Sequence, residues 1–180
     1  MKLHLGCGKR NFGKSWTHVD GGNHEHLHSS NITDLPFDNN SVDLIYASHV
    51  LEYFDREEAS EVLEEWKRTL TPKGTLRLAV PDFEAMARMY VETSTSLDKF
   101  LGPLYGRMDM GDEKIYHKTV YDEHSLKALL FKSGFRNINL YDWKDTEHSH
   151  VDDHSQAYLP HMDKEDGTLL SLNIQCEKYV

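Results

Sequence analysis

The sequence predicts a single α/β domain, residues 1–180, built on a doubly wound and mostly parallel Rossmann-like sheet that ends in an antiparallel strand pair. Two observations indicate this fold class. Short apolar segments alternate with segments of helical periodicity through most of the chain, which is the pattern of strand–helix–strand units. The last strand-like segment, residues 168–179, instead alternates apolar and polar residues, as antiparallel or edge strands do.

Four strands are predicted in the first half of the chain. Residues 2–6 and 16–20 are short apolar segments that end in glycine-containing loops, a common strand boundary. Val42–Ser48 and residues 75–80 are almost continuously apolar, as expected of strands covered on both faces of a parallel sheet. A further strand is predicted at residues 137–143, as the partner of the alternating C-terminal strand.

Three helices are predicted between these strands. Asp55 and Glu58 have the spacing of a capping box, and apolar residues then recur every three or four positions as far as Leu70, which indicates an amphipathic helix. A second helix is predicted to begin at Asp82, and a third at Asp122. The buried face of the second helix is expected to contain Phe83, Met86, Ala87, Tyr90 and Val91.

The composition excludes several classes of protein. The chain has 20 Lys and Arg against 30 Asp and Glu, for a formal net charge of −10, so it lacks the excess of cations that phosphate or anionic lipid requires. No segment approaches the roughly 18 apolar residues of a membrane-spanning helix, and the N-terminal residues do not resemble a signal peptide. Cys7 and Cys176 lack CxxC spacing, which agrees with a reducing compartment. We therefore expect a cytoplasmic protein without a nucleic acid or membrane partner.

The residues that follow the first strands predict a site for an adenosine-containing ligand. In an open α/β sheet, ligands bind beyond the carboxyl ends of the strands. Gly6 and Gly8 have no Cβ where the first strand ends, so a ligand can approach the backbone there. Asp20 ends the second strand, where a carboxylate can accept hydrogen bonds from ribose hydroxyls. Asp34 and the backbone amide after it are expected to hold the adenine.

This ligand is predicted to carry no pyrophosphate. A dinucleotide site needs a third glycine and a full helix whose N-terminus binds the pyrophosphate. Asn11 stands where that glycine would fall, and Asp20 lies only 14 positions after Gly6, which leaves little room for a helix. S-adenosylmethionine fits better, because it has no phosphate and its sulfonium cation suits an acidic protein. A nicotinamide-dependent oxidoreductase is the rival enzyme class.

The same residues resemble the class I S-adenosylmethionine-dependent methyltransferases, in the small bacterial branch called type 11. The segment LHLGCG at residues 3–8 is similar to the first motif of that family, residues 34–45 to its adenine loop and fourth strand, and residues 70–76 to the turn before its fifth strand. Residues 47–54 are similar to the segment after the fourth strand, although many relatives have His where Tyr53 stands. The resemblance implies S-adenosylmethionine as the cofactor, bound by Leu5, Gly6, Cys7, Gly8, Asp20, Asp34, Leu35, Ser48 and His49.

Two departures from the family concern the cover of the acceptor site. The chain starts on the first strand, without the helices that usually precede it, and its first crossover helix is shortened. Two irregular segments, residues 95–117 and 144–167, are expected to replace that cover, since long loops in compact domains are usually functional or disordered. The bare first strand also predicts either a homodimer or a lid at residues 95–117 that orders on binding.

Methyl transfer is an in-line displacement, so it requires a base only when the acceptor is a hydroxyl. His49 is the first candidate base, because it leaves the fourth strand beside the expected cofactor. A hydrogen bond from His49 to the cofactor or to the backbone is the alternative. His117 is the second candidate, with Arg107 beside it to orient an anionic acceptor. A solvated loop without a role in the reaction is the alternative for both residues. The acceptor residues are predicted to be Tyr105, Arg107, His117 and His148.

A cluster of histidines and acids lies in the second irregular segment, at His148, His150, Asp152, Asp153, His154, His161 and Asp163. Imidazole and carboxylate groups can bind zinc, but a loop supplies no fixed geometry and no cysteine accompanies them. We predict no metal ligands and expect this segment to form part of the acceptor wall. The predicted function is methyl transfer, favouring oxygen over nitrogen, to a small-molecule acceptor, which the family resemblance suggests is carbohydrate-like. The alternative is a non-catalytic adenosine- or metal-binding module.

Overall fold

The structure is a computed structural model that describes residues 1–111 and 113–179. Its strands are β1 (Lys2–Leu5), β2 (Trp16–Val19), β3 (Leu27–Ser29), β4 (Val42–Ser48), β5 (Leu70–Pro81), β6 (Met108–Asp109), β7 (Lys114–Ile115), β8 (Phe135–Leu140), β9 (Tyr158–Leu159), β10 (Thr168–Leu169) and β11 (Ser171–Lys178). Its helices are α1 (Glu58–Thr69), α2 (Phe83–Thr93), α3 (Leu101–Tyr105) and α4 (Glu123–Lys132). Within the described residues, no helix has the length and apolar character needed to cross a membrane.

Seven strands form one sheet in the order β3-β2-β1-β4-β5-β11-β8. β1 pairs in parallel with β2 and β4, and β4 pairs in parallel with β5. β11 is antiparallel to both β5 and β8. The predicted fold class, a mostly parallel sheet with an antiparallel pair at its C-terminal end, is confirmed. The strand order reverses between β1 and β4, so the carboxyl ends of these two strands flank the crevice where such sheets bind ligands.

One face of the sheet packs against α1 and α4. Leu5 of β1 and Ile45 of β4 are fully buried in one core with Trp66 of α1 and Leu126 of α4. These residues alternate along the strands and recur at helical spacing in α1 and α4, so each element buries the face that its sequence pattern indicates. This core fixes the position of the strand ends.

Side-chain caps determine where the longer helices begin. The Glu58 N–H donates to Asp55 Oδ1 at 2.9 Å, and the Asp55 N–H donates to the Glu58 carboxylate at 2.8 Å. Asp82 caps α2, and Asp122 forms a reciprocal capping box with Ser125 at the start of α4. Each cap satisfies backbone N–H groups that have no partner inside the helix. The three predicted helix starts are therefore confirmed to within a few residues.

The opposite face of the sheet has no helical layer over β1 and β2. The connections after these strands, residues 6–15 and 20–26, contain no helix. Instead, His148 from the segment after β8 stacks on Phe12 with ring centres 4.4 Å apart and lies 4.2 Å from the ring of Tyr46. The first crossover helix is expected to be shortened, but the structure has no helix at all within the described residues 6–15. An aromatic core, completed by His148 from another part of the chain, covers this face of the sheet instead.

Hydrogen bonds hold this covering segment on the sheet. The Tyr46 hydroxyl donates to Asp153 Oδ2 at 2.6 Å, and the Asn173 amide donates to the Ser155 carbonyl at 2.9 Å. His4 in the middle of β1 is only 1% exposed. The first strand is thus buried on both faces within one chain, which removes the argument that a bare strand requires a homodimer.

The predicted buried face of α2 is wrong for three residues. Phe83, Tyr90 and Val91 are exposed, and Val91 is exposed to 78%. Met86 is the buried residue of this helix, and it packs in a small separate core with Phe100. The periodicity identifies the helix, but α2 rests on a small cluster and not on the sheet, so most of its apolar stripe stays uncovered.

Two predicted strand bounds also differ. β5 begins at Leu70 and not at residue 75, and it carries the predicted turn, residues 71–74, as an irregularity in the ladder. β8 ends at Leu140 and not at residue 143, because a 3-10 turn begins at Trp143. Neither difference changes the order of the strands.

Candidate active site

The ends of β1 and β4 meet at Gly6 and Val50. Gly6 has a φ of +63°, and a Cβ built on it would lie 2.2 Å from Val50 Cγ2. Its N–H donates to the Val19 carbonyl at 2.8 Å, which ties the end of β1 to the end of β2. A left-handed φ and a contact this close both require glycine. The fold itself therefore requires glycine at position 6, the first glycine of the predicted motif.

Asp20, at the end of β2, binds the loop that follows β1. Its Oδ2 accepts from the Gly8 N–H and its Oδ1 from the Gly22 N–H, both at 2.7 Å. Each carboxylate oxygen has two lone pairs, so both oxygens can still accept a hydrogen bond from a ligand. This arrangement fits a ribose diol beyond the strand ends.

Two cavities open beside these strand ends. The smaller cavity has a volume of about 590 Å³ and includes Gly6 and Asp20 in its lining. The larger cavity has a volume of about 810 Å³. Both volumes fall within the roughly 300–1,000 Å³ of small-molecule sites. Three residues line both cavities, so the two spaces meet at His49, Tyr53 and Met108.

The structure brings part of the predicted cofactor set to the smaller cavity. Gly6, Asp20 and His49 line it, and Gly8 lies behind Asp20 as a hydrogen-bond donor. This part of the lining offers backbone approach at Gly6 and a carboxylate acceptor at Asp20, and Lys114 and Lys118 also line the cavity. The Asp20 carboxylate fits a cofactor that has a ribose.

Leu5, Cys7 and Ser48 lie behind the strand ends. All three are buried and are not among the described lining residues of the smaller cavity. Burial raises the pKa of the Cys7 thiol to about 12, so the thiol stays protonated at neutral pH. Their side chains shape the turn and the core, and their predicted part in cofactor binding stays a prediction.

The predicted adenine loop also differs from expectation. The Leu35 side chain is buried in the core, and its N–H donates to Glu65 Oε1 at 2.8 Å. Asp34 is exposed and does not belong to the described lining, in which Ile32 stands instead. The backbone amide already has a partner within the protein, so it is not free to bind an adenine in this conformation.

A buried carboxyl group lies between the two predicted bases. The Glu52 side chain is 1% exposed, and its Oε1 lies 3.6 Å from His49 Nδ1 and 3.7 Å from His117 Nε2. Neither Glu52 oxygen has a hydrogen-bond partner within residues 1–111 and 113–179. His49 leaves β4 with a φ of +54°, and the 3-10 turn Leu51–Tyr53 then carries Glu52 inward.

Burial favours the neutral form of all three groups. It raises the pKa of Glu52 to about 8 and lowers the pKa values of His49 and His117, because ionised groups lose hydration in the interior. His154, which stacks on His49 with ring centres 5.0 Å apart, lowers the pKa of His49 further by charge repulsion. At neutral pH the site holds a carboxylic acid and two neutral imidazoles.

His117 is held in place by the segment predicted to cover the acceptor. A Cβ at Gly106 would lie 1.8 Å from His117 Nε2, and Gly106 has a φ of +49°. The Tyr53 hydroxyl donates to the Gly106 carbonyl at 2.6 Å, and His117 Nδ1 lies 2.9 Å from the Pro103 carbonyl oxygen. The glycine leaves the space that the imidazole occupies.

Both predicted cover segments contribute to the larger cavity. Arg107 and His117 line it from the first segment and His154 from the second. Tyr105, predicted as an acceptor residue, is 58% exposed and is not among the lining residues that the structure describes. Its backbone carbonyl accepts from the His117 N–H at 2.9 Å, so it supports the base and does not face the cavity.

His148 does not belong to the acceptor site. It is 1% exposed, and its ring stacks in the aromatic core of the second sheet face, so the predicted role in acceptor binding is corrected. Within the part of the chain that the structure describes, no group of three or more His, Cys, Asp and Glu side chains is placed to hold a metal ion. Of the His and Asp cluster, His148 lies in the aromatic core, and the larger cavity is lined by Asp152, Asp153, His154 and His161.

Glu52 and Tyr53 were not predicted from the sequence as site residues. The sequence does contain a signal for Glu52: this acid directly follows the apolar pair Val50 and Leu51 after a buried strand. Acids are rarely buried in proteins, so an acid within an apolar segment is a candidate for a special role. Tyr53 offers no such signal. Its role depends on the distant Gly106, which only the fold brings into contact.

The strand order and the carboxylate at the end of β2 match the class I methyltransferase fold. Residues 9–78 match the family described as a methyltransferase domain. This match supports the predicted family, methyltransferase activity and S-adenosylmethionine as the cofactor.

Solved structures share this fold at low sequence identity. A SAM-dependent methyltransferase from Methanosarcina mazei has a TM-score of 0.57 and 17% identity, with 99% of this chain and 92% of that chain covered. One from Archaeoglobus fulgidus has a TM-score of 0.56 and 14% identity, with 98% and 85% covered. The 1,6-didemethyltoxoflavin-N1-methyltransferase of Burkholderia thailandensis, solved with 1,6-didemethyltoxoflavin and S-adenosylhomocysteine, has a TM-score of 0.56 and 12% identity, with 99% and 71% covered. No curated protein sequence matches the chain.

Proposed function

We propose that the protein transfers a methyl group to a hydroxyl oxygen of a small-molecule acceptor that occupies the larger cavity. The observation that carries this proposal is the shared wall of the two cavities at His49, Tyr53 and Met108. An acceptor in the larger cavity and a cofactor in the smaller one would meet at these residues. In-line transfer requires such a meeting point.

The smaller cavity supports the cofactor half of this proposal. Asp20 would accept hydrogen bonds from the ribose, and Gly6 would allow the cofactor to approach the backbone. S-adenosylmethionine supplies a methyl group on a sulfonium cation. The acidic character of the chain, with a net charge of −10, favours a cationic ligand over a phosphorylated one.

The preference for oxygen rests on the two histidines. A hydroxyl acceptor must lose its proton during transfer, and a neutral imidazole accepts a proton near neutral pH. Burial keeps His49 and His117 neutral by lowering their pKa values. We propose both as candidate general bases, with Arg107 at the wall of the larger cavity to orient the acceptor. A carbohydrate-like acceptor is consistent with this polar wall.

Calorimetry tests the cofactor half. We expect S-adenosylmethionine and S-adenosylhomocysteine to bind and NAD not to bind. Loss of the charged acceptor in Asp20→Ala should weaken S-adenosylmethionine binding about tenfold or more, since a hydrogen bond to a charged group contributes roughly 1.5–3 kcal/mol. Asp38→Ala, which changes an exposed acid, is the matched control. Tight binding of NAD without a response to either sulfur ligand would exclude the proposal.

A transfer assay tests the acceptor half. The protein is incubated with methyl-labelled S-adenosylmethionine and a set of hydroxyl- and amine-bearing small molecules that includes saccharides. We expect labelled ethers from the hydroxyl compounds and their loss in His117→Ala, with activity retained in the exposed-histidine control His124→Ala. Label found only on amines would contradict the choice of oxygen. Cofactor binding with no transfer to any compound would favour the non-catalytic adenosine-binding alternative.

The cover of the site supports a closing movement on binding. Met108, Met110 and Tyr116, within the first cover segment, line the smaller cavity. We propose that residues 95–117 act as a lid over the cofactor. Limited proteolysis should cleave this segment more slowly when S-adenosylhomocysteine is bound, and equal cleavage with and without ligand would contradict the lid. Light scattering decides separately whether the protein is a homodimer.

A further inference from the structure

A chain of hydrogen bonds fixes the proton on His49. The Asn173 amide donates to the Ser155 carbonyl at 2.9 Å, so the Asn173 Oδ1 is the acceptor for the Ser171 hydroxyl at 2.9 Å. The hydroxyl hydrogen of Ser171 is used in that bond, so its oxygen must accept from His49 Nε2, 3.3 Å away. His49 therefore carries its proton on Nε2 and presents the lone pair of Nδ1 to Glu52.

His117 presents a lone pair to the same point. A backbone carbonyl only accepts hydrogen bonds, so the contact of 2.9 Å between His117 Nδ1 and the Pro103 oxygen requires the proton on Nδ1. The Nε2 of His117 then faces Glu52 Oε1 without a proton, at 3.7 Å. Two imidazole lone pairs thus converge on one carboxyl oxygen.

This arrangement accommodates one proton and repels an anion. An ionised Glu52 would face two lone pairs in a buried site, while a protonated Glu52 presents a hydrogen to one of them, across 3.6 Å to His49 Nδ1 or 3.7 Å to His117 Nε2. The other titratable groups that face Glu52 are Tyr53 and Tyr121; burial raises the pKa of each phenol, and the negative charge of an ionised Glu52 raises it further. Neither tyrosine supplies a cation. The backbone carbonyl of Glu52 accepts a hydrogen bond from the Lys118 backbone N–H at 2.8 Å.

We propose that Glu52 is a positioning residue: in the resting enzyme it is protonated and presents that proton to the lone pairs of His49 and His117, which keeps both imidazoles neutral and in their opposite tautomers. The use of either imidazole as a base rests on the proposed function, and the protonated state of Glu52 does not. Glu52 is buried and is not among the described lining residues of either cavity, so it acts through the two histidines and not by touching the acceptor.

Nitrogen-15 NMR of histidine-labelled protein tests the resting state without an acceptor. In the wild type we expect His49 as the Nε2–H tautomer and His117 as the Nδ1–H tautomer at pH 7. Both rings should respond together to one titration with an apparent pKa of about 8, the value to which burial raises Glu52. Glu52→Gln should keep both tautomers and lose this titration, and the control Glu61→Gln, an exposed acid on α1, should retain it.

Thermal unfolding supplies a second readout. The pKa of Glu52 is raised in the fold, so the unfolded chain loses this proton first and the folded state loses stability as the pH rises from about 4.5 to about 8. Glu52→Gln removes this loss. Its thermal midpoint at pH 8 should therefore exceed that of the wild type, and the two should converge toward pH 5.

The outcomes separate this inference from the proposed function. Opposite tautomers, two imidazolium rings at pH 7, or a titration near pH 8 that persists in Glu52→Gln would overturn it. If Glu52→Gln does not fold, the wild-type tautomers and titration still decide. If S-adenosylmethionine does not bind while the shared titration is present, the proposed function fails and the assignment of the proton stands.

Discussion

Gly6 and Val50 compete for one volume: the Cβ that any other residue would place at position 6 would lie 2.2 Å from Val50 Cγ2. This contact joins the end of β1 to the residue that follows His49. The floor of the smaller cavity and the position of the first candidate base are therefore set by the same packing contact.

Gly6→Ala should destabilise the protein and weaken cofactor binding. The left-handed φ alone costs about 1–2 kcal/mol, and the overlap with Val50 adds about 1–3 kcal/mol. Gly8→Ala is the matched control, because Gly8 also has a left-handed φ but its added Cβ would meet nothing within 4 Å. Urea unfolding should show the larger loss for Gly6→Ala. Adding Val50→Ala should recover part of that loss, and no recovery would refute the overlap.

Gly106→Ala should impair methyl transfer while leaving cofactor binding unchanged. The new Cβ would take the place of the His117 ring, while Asp20 and Gly6 stay as they are. We expect the transfer rate to fall by about 10²-fold or more, the lower end of what a general base contributes. Gly13→Ala should keep full activity, because Gly13 also has a left-handed φ, its added Cβ would meet nothing within 4 Å, and it is not among the described lining residues of either cavity. A normal rate in Gly106→Ala would show that the His117 position does not matter.

Acid should unfold the protein through the aromatic core that contains His148. Burial lowers the pKa of His148 from 6.5 to about 4 and also lowers the pKa of His4, so both rings are neutral in the fold. The stability is complete above pH 6.5 and decreases as the pH falls toward 4, because the unfolded chain binds these protons first. The thermal midpoint of His148→Phe should depend less on pH over this range, whereas the exposed control His124→Phe should follow the wild type.

Tyr46→Phe should loosen the segment that covers the second sheet face. The substitution removes the 2.6 Å bond to Asp153 and leaves the shape of the core unchanged. We expect a loss of about 1.5–3 kcal/mol in the free energy of unfolding, as for other bonds to charged groups. Tyr179→Phe, at an exposed tyrosine, should change it by less than about 0.5 kcal/mol. Equal unfolding curves for the two variants would contradict a role for this bond.

The sequence predicts the sheet and the end of β2 well because these features are local. A continuous apolar strand, a capping Asp and an acid that follows a strand are each encoded within a few residues, and Val42–Ser48, Asp122 and Asp20 lie where they were expected. The predicted roles of Leu35 and His148 fail for one reason. Each depends on a partner distant in sequence, Glu65 in one case and Phe12 in the other.

Glu52 illustrates the same limit in the site. Its neighbours in sequence suggest burial, but its place in the site depends on contact with His117, which is 65 positions away. Gly106 and Pro103 in turn hold His117 in that position. Sequence spacing alone carries no information on such a contact. The two candidate bases were predicted separately, and the acid that connects them becomes visible only when β4 and the first cover segment are packed together.

The segment after β8 forms part of the cover of the second sheet face and also part of the wall of the larger cavity. Asp153 anchors it to Tyr46 under the sheet, while its neighbours Asp152 and His154 face the larger cavity. A substitution that reshapes this wall for a different acceptor would also disturb the cover of β1 and β2 on the second face of the sheet. Changes in acceptor range and changes in thermal stability should thus arise together in this protein, and directed evolution toward new acceptors would profit from first stabilising the aromatic core.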